Sequence, residues 1–156
     1  MKYKFLFALS LLITCIIVSL FISKQLTKRK LFYKNALKFL LILKNEISFT
    51  KNTINNIVKN LEDNDFNSIL KERFIKEKNI DLLNYLYLKQ EEKILIDNFI
   101  NNIGKQDKIT QLKFIENYEN IFSDKANLCE KNEQKYKPLI IKLGIYIGLI
   151  IFILLI

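Results

Sequence analysis

Phe5–Ser23 reads FLFALSLLITCIIVSLFIS, nineteen residues without a charge, and Leu139–Ile156 reads LIIKLGIYIGLIIFILLI, with Lys142 as its one charge. At about 1.5 Å of rise per residue, a helix over either stretch crosses a hydrocarbon core of roughly 30 Å. The residues between them are polar and carry apolar side chains at helical spacing. The expected organisation is an N-terminal transmembrane helix over 1–23, a soluble cytosolic helical domain over 24–137, and a C-terminal transmembrane helix over 138–156. Gly104, Gly144, Gly148 and Pro138 are all the glycine and proline in the chain. Sheets need many turns, and turns need those residues. The fold class expected is therefore all-α: an antiparallel helical bundle whose two long helices continue into the transmembrane helices.

Net charge is +9, and its placement says more than its size. Lys24–Asn60 holds nine bases against Glu46 alone, whereas Leu61–Lys137 holds thirteen bases against fifteen acids. The excess sits directly after the first apolar stretch, where the positive-inside rule and anionic headgroups account for it. It abuts a bilayer and lacks interleaved base-stacking motifs, so no nucleic acid is expected as a partner. Lys24, Lys28, Arg29, Lys30 and Lys34 flank the middle on one side, and Lys131, Lys135, Lys137 and Lys142 on the other. Only Lys2, Lys4 and the α-amino group lie outside. That asymmetry predicts a cytosolic middle with both termini across the membrane.

The first stretch does not read as a cleaved leader. Cleavage after Ser19 or Ser23 would put Ile17 or Phe21 where a small residue is required. Thr14 before Cys15 is likewise a poor lipoprotein box. Cys15 in the first apolar stretch and Cys129 in the middle imply no disulfide framework.

Within the middle, Tyr33, Leu40, Ile47, Ile54 and Leu61 fall seven apart, interleaved with Ala36, Leu43, Thr50 and Ile57. This a/d seam predicts one helix from the first span to about Leu61. Glu62-Asp63-Asn64-Asp65 stops it and caps a short helix with Phe66, Ile69, Leu70 and Phe74 inward. Asn79 or Asp81 is expected to cap a third, with Leu82, Leu83, Leu86, Ile94 and Phe99 inward, interrupted around Lys89–Lys93 and closed at Gly104. Asp107 is expected to cap the last helix, with Ile109, Leu112, Ile115, Phe122, Cys129 and Tyr136 inward. Pro138 marks a kink or restart before the second span.

Chemistry is sparse. There is no histidine, and the two cysteines lie far apart in sequence, so the usual metal ligands and nucleophile–base pairs are lacking. A single glycine in the middle rules out a glycine-rich phosphate loop. Glu91 and Glu92 are adjacent and read as a solvated face. No catalytic residue, cofactor, metal or small-molecule substrate is expected. Gly144 and Gly148 form a small-xxx-small pattern that lets helices approach closely, either within this chain or on another subunit.

Asn102–Ile115 (NIGKQDKITQLKFI) resembles the G-x-x-D-x-x-x-Q signature of the stage III sporulation protein AB family, with Gly104, Asp107 and Gln111 at the signature positions. Lys135–Leu149 (KYKPLIIKLGIYIGL) is similar to that family's K-Y-x-x-x-x-x-x-L-G-x-x-x-G-L run into its last span. The resemblance implies a non-enzymatic platform subunit of the channel joining mother cell and forespore in endospore formation. It also implies an all-helical soluble domain related to the inner-membrane platform protein of type II secretion. The implied partners are the complex's cytosolic ATPase and ring-forming membrane subunits, met at the mother-cell membrane around the forespore. The alternative is an unrelated two-span coiled-coil scaffold in division or envelope remodelling. A pore is a weaker fit, because Ser10, Thr14, Ser19 and Ser23 make only a thin polar stripe.

Overall fold

The computed structural model describes residues 2–49, 53–79 and 82–155. Five helices follow in order: α1 (Lys2–Phe49), α2 (Ile54–Lys59), α3 (Asp65–Phe74), α4 (Gln90–Asn102) and α5 (Lys108–Leu155). The protein is all-α, with no strand among the described residues. The chain divides into two compact units, one of Met1–Lys28 with Leu128–Ile156 and the other of Arg29–Asn127. Portions of α1 and α5 belong to each, and within each they run antiparallel.

The first unit is a two-helix hairpin. Phe5 meets Phe152 edge to face at 5.7 Å, and Thr27 bonds Glu133 at 2.6 Å, so contacts descend α5 as they ascend α1. Ala8, Ser19 and Ser23 are buried along the inner face of α1, at the 3-4 spacing that keeps a stripe on one side. The outer faces carry exposed Phe7, Ile13, Ile17, Phe21, Ile147 and Ile150. Both long helices contain a window long and apolar enough to cross a membrane by length and composition. Pro138 lies inside α5, which neither stops nor restarts there.

The second unit packs α2, α3 and α4 with the remaining lengths of α1 and α5 around an aromatic core. Phe32, Phe39, Phe66, Phe99 and Phe122 are all essentially inaccessible. Phe99 lies at the centre, 4.9 Å from Tyr118, 5.4 Å from Phe122 and 6.4 Å from both Phe39 and Phe66. Edge-to-face and tilted pairs of this kind add about 0.5–1.5 kcal/mol each beyond burial itself. The seam residues Tyr33, Ala36, Leu40 and Leu43 are buried, as are Ile115 and Phe122 on α5. Asn64 caps α3, its Oδ1 accepting from the Asn67 N–H at 2.9 Å, and Phe66, Ile69 and Leu70 turn inward.

Several boundaries differ from the heptad reading. The first helix does not reach Leu61 but ends at Phe49, and the chain restarts as α2 behind an extended Thr53 (φ −71°, ψ 149°). Thr53 is β-branched and competes with helical bonding, so a helix start suits it better than an interior. Thr50, on the expected seam, lies outside the described residues, as does Asp81. No helix begins at Asn79; residues 82–89 form turns, and α4 starts only at Gln90. Consequently Leu83 and Leu86 are exposed rather than inward. Ile94, Ile109 and Tyr136 also face out. The inward face of α5 here is set by Gln111, Ile115, Tyr118, Phe122 and Ala126, and Ile109 lies off that stripe.

Truncation of Phe99 to Ala is expected to destabilise the full chain in detergent by about 3–5 kcal/mol, the usual cost of emptying a packed aromatic site. Ile94→Ala, on the open face of the same helix, should cost under about 0.5 kcal/mol. Denaturant unfolding followed by circular dichroism reads both, and equal costs would contradict this placement of the core.

Candidate functional site

No group of three or more His, Cys, Asp or Glu residues that could hold a metal ion occurs among the described residues. The built features are contacts between helices, at three places.

At the first, the corner from α4 into α5, Gly104 takes φ +79°, a left-handed backbone open to glycine at little cost. A Cβ there would also collide with the Ile54 side chain. The Gly104 N–H donates to Gln111 Oε1 at 3.0 Å, and Gln111 is itself buried. Asp107 opens α5: its Oδ2 accepts from the N–H groups of Ile109 and Thr110 at 3.1 and 3.2 Å. The Thr110 hydroxyl and N–H, then the Ile109 N–H, hold the Asp107 carboxyl below the usual range. Gly104, Asp107 and Gln111 thus form one hydrogen-bonded turn. Backbone geometry explains Gly104 and Asp107, and the acceptor half of the Gln111 amide.

The second place is the hairpin interface. A Cβ on Gly144 would overlap the Cβ and Oγ of Ser19, and one on Gly148 would stand 3.4 Å from Cys15 Cβ and from Leu12 O. Both glycines therefore face α1 of the same chain, and their missing side chains let the two backbones approach. The hydroxyls of Ser10, Thr14 and Ser19 bond to carbonyls of their own helix, so they line no polar channel within the hairpin. At one end of the unit, Thr27 donates to Glu133 Oε1 at 2.6 Å, and Lys137 Nζ reaches Thr27 Oγ1 at 3.1 Å and Glu133 Oε1 at 3.2 Å. Glu133 is buried, so this cluster fixes the register of the two helices with directional bonds.

The third was not legible as a site from composition. Glu92, read as part of a solvated pair, has a side chain only 1% exposed. Arg29, counted among membrane-flanking bases, donates to it through Nε at 2.9 Å and Nη2 at 2.8 Å. The Lys89 N–H donates to Glu92 Oε2 at 2.9 Å, closing half of a capping box at the start of α4. Burial pushes the Glu92 carboxyl up, but bonding from Arg29, from the Lys89 N–H and from the Tyr33 hydroxyl outweighs it and holds the group below the ordinary glutamate range. The signal was available: Glu92, Ile96, Phe99 and Ile103 share one helical face, so an acid stood on an otherwise apolar stripe.

These features define a class: an all-α protein built on a long antiparallel helix pair, whose specific residues serve turns, close backbone approach and buried pairing. The family model described as stage III sporulation protein AB matches residues 65–156, more than half of the chain and inclusive of Gly104, Asp107, Gln111, Gly144 and Gly148. The chain belongs to the stage III sporulation protein AB family and is a sporulation-related protein. No curated protein and no solved structure matches it.

Two outcomes follow from this geometry. Because the folded Glu92 carboxyl titrates below its unfolded value, its stabilisation is fully present above the ordinary range, about pH 4–5, and is lost as pH falls through the depressed folded value. Glu92→Gln should cost about 3–5 kcal/mol near neutrality, by removing the charged acceptor of a buried ion pair, and should flatten the acid limb of the stability profile. The double replacement Arg29→Met with Glu92→Met should cost less than either single change. Second, Gly148→Cys in a Cys129→Ala background should oxidise onto Cys15 within one chain, since the Cβ separation of 3.4 Å is close to disulfide geometry. Loss of maleimide labelling at both thiols without a dimer band on a non-reducing gel is the expected result. A dimer band would show that this face meets another copy.

Proposed function

We propose that the chain is a non-enzymatic platform subunit of a secretion-like channel between mother cell and forespore, linking a cytosolic ATPase to ring-forming membrane subunits. The family match over residues 65–156 carries this reading. Two further observations support it. In α1 and α5, only 11% and 6% of the most apolar window is buried, far too little for core helices of a water-soluble protein. Lipid is the solvent that such surfaces suit, which supports two passes through a membrane, on this reading the mother-cell membrane around the forespore. Lys24 and Lys28 on α1 and Lys131 and Lys135 on α5 are exposed on the side of the hairpin near residues 24–28, which favours a cytosolic Arg29–Asn127 unit. The hydrogen-bonded corner and the buried ion pair are means of holding surfaces in place, as a platform requires, and the family match leaves an unrelated division scaffold without support of its own.

Affinity-tagged full-length chain, solubilised from sporulating cells, is expected to bring down the complex's ATPase and membrane subunits. Its deletion should stop spore development after engulfment. A thiol placed by Asn79→Cys, on an exposed stretch, should resist a membrane-impermeant maleimide in intact cells and react after permeabilisation. Recovery of the chain without the other subunits would overturn the platform reading, and labelling from outside would overturn the orientation.

A further inference from the structure

The Gly104 corner does more than turn the chain. Beside it opens a pocket of about 540 Å³, within the range of sites that take a ligand or side chain. Its walls are apolar, from Ile47, Ile54, Phe74 and Ile103. Gln111 also lines it, and there the amide is half used: Oε1 holds the Gly104 N–H, while Nε2 is buried with no partner among the described residues. A buried donor left unpaired is destabilising, and a bound acceptor would relieve that. Among the described residues, the ionisable groups lining the pocket are both cationic, Lys105 and Lys108. Lys108 Nζ is bonded to a neutral carbonyl, that of Ser48, so no carboxylate cancels its charge there. The nearby Asp107 carboxylate is turned onto the N–H groups of Ile109 and Thr110. Two large apolar side chains next in sequence to Lys108 and Ser48 are exposed, Ile109 (70%) and Phe49 (84%).

We propose that this pocket is a docking site for an acidic, apolar-anchored peptide segment of a partner protein. An aliphatic or aromatic side chain fills the walls, a carboxylate or carbonyl oxygen accepts from Gln111 Nε2, and acidic neighbours lie against Lys105 and Lys108. A free inorganic anion would use the lysines but leave four apolar walls wet. A second copy of this chain carries the same net charge of +9, a poorer match to the two lysines than an acidic segment. Apolar contact and negative charge together are what the site complements. The proposal rests on the reading of the chain as a subunit that works by contact, and it adds the surface and the chemistry of the partner.

The test is photocross-linking in sporulating cells, using the full-length chain with p-benzoylphenylalanine in place of Gln106, an exposed lining residue. The expected adduct carries a partner peptide with an apolar residue within about two positions of Asp or Glu. Its yield should fall about tenfold with Lys105→Glu, and again with Gln111→Glu, which replaces the free donor by an acceptor. Changing the cross-linked partner acid to Lys should restore the adduct in the Lys105→Glu chain. Lys105 is exposed, so that variant stays informative even if Gln111→Glu fails to fold. An adduct only with a second copy, a partner segment that is basic, or a yield indifferent to charge reversal would each overturn the proposal. So would absence of any adduct. If the complex still co-purifies in that case, only the pocket is wrong; if it does not, the platform reading falls with it.

Discussion

A carboxylate with almost no access to water sets the arrangement of the Arg29–Asn127 unit. Glu92 accepts from Arg29 on α1 and from the Lys89 N–H at the start of α4, so one side chain fixes where α4 begins and which helix it is tied to. Buried ion pairs add little net stability over apolar residues of equal volume, because desolvation offsets the attraction. What this pair contributes is direction. The aromatic core alone would tolerate a sliding or rotated α4, since rings pack in many tilted arrangements. A guanidinium fork on a carboxylate does not. With Glu92 pinned, Ile96, Phe99, Ile100 and Ile103 fall inward, and the chain leaves α4 at the Gly104 turn.

The hairpin unit solves the same problem with different chemistry. In the lipid setting proposed for it, apolar surface gains nothing by leaving one hydrocarbon for another, so burial cannot choose a register. Close backbone approach and hydrogen bonds can. Gly144 against Ser19 and Gly148 against Cys15 supply the first, and Thr27, Glu133 and Lys137 supply the second. The bulky residues, Phe7, Ile17 and Phe21 among them, are turned outward, the inverse of the arrangement around Phe99.

Much of this was legible in the sequence wherever one physical signal dominated. Two uninterrupted apolar stretches, the scarcity of glycine and proline, and the seven-residue recurrence through Tyr33, Leu40 and Ile115, Phe122 sufficed for an all-α antiparallel pair. The Asn64 cap of α3 was also readable, because an Asx side chain before an apolar turn has few other uses. Reading failed where periodicity was trusted beyond its support. The seam continues arithmetically to Leu61, yet α1 ends at Phe49, because a recurrence of apolar residues does not oppose a local break at Thr53. Leu83 and Leu86 looked inward only if a helix already ran through them. Glu92 was assigned to solvent from its neighbour Glu91, although its own helical face is apolar. That face marked Glu92 for burial, whereas the identity of its partner, an arginine sixty-three positions away, leaves no local mark in the sequence.

The same contrast bears on what Gly104, Asp107 and Gln111 are for. Gly104, Asp107 and Gln111 would read as a catalytic trio if chosen by residue type alone, yet the backbone consumes most of their hydrogen-bonding capacity. Asp107 caps, Gly104 turns, and Gln111 receives the N–H that the turn exposes. One donor, Gln111 Nε2, is left over, and it is both buried and unpaired. If the trio served only the turn, that amide would be no better than a carboxylate, which could accept from Gly104 equally well, or a smaller residue with a water in its place. An amide instead supplies both an acceptor for the turn and a spare donor, two roles no carboxylate can fill when ionised. Turn geometry therefore explains two of the three residues in full, and the third only by half.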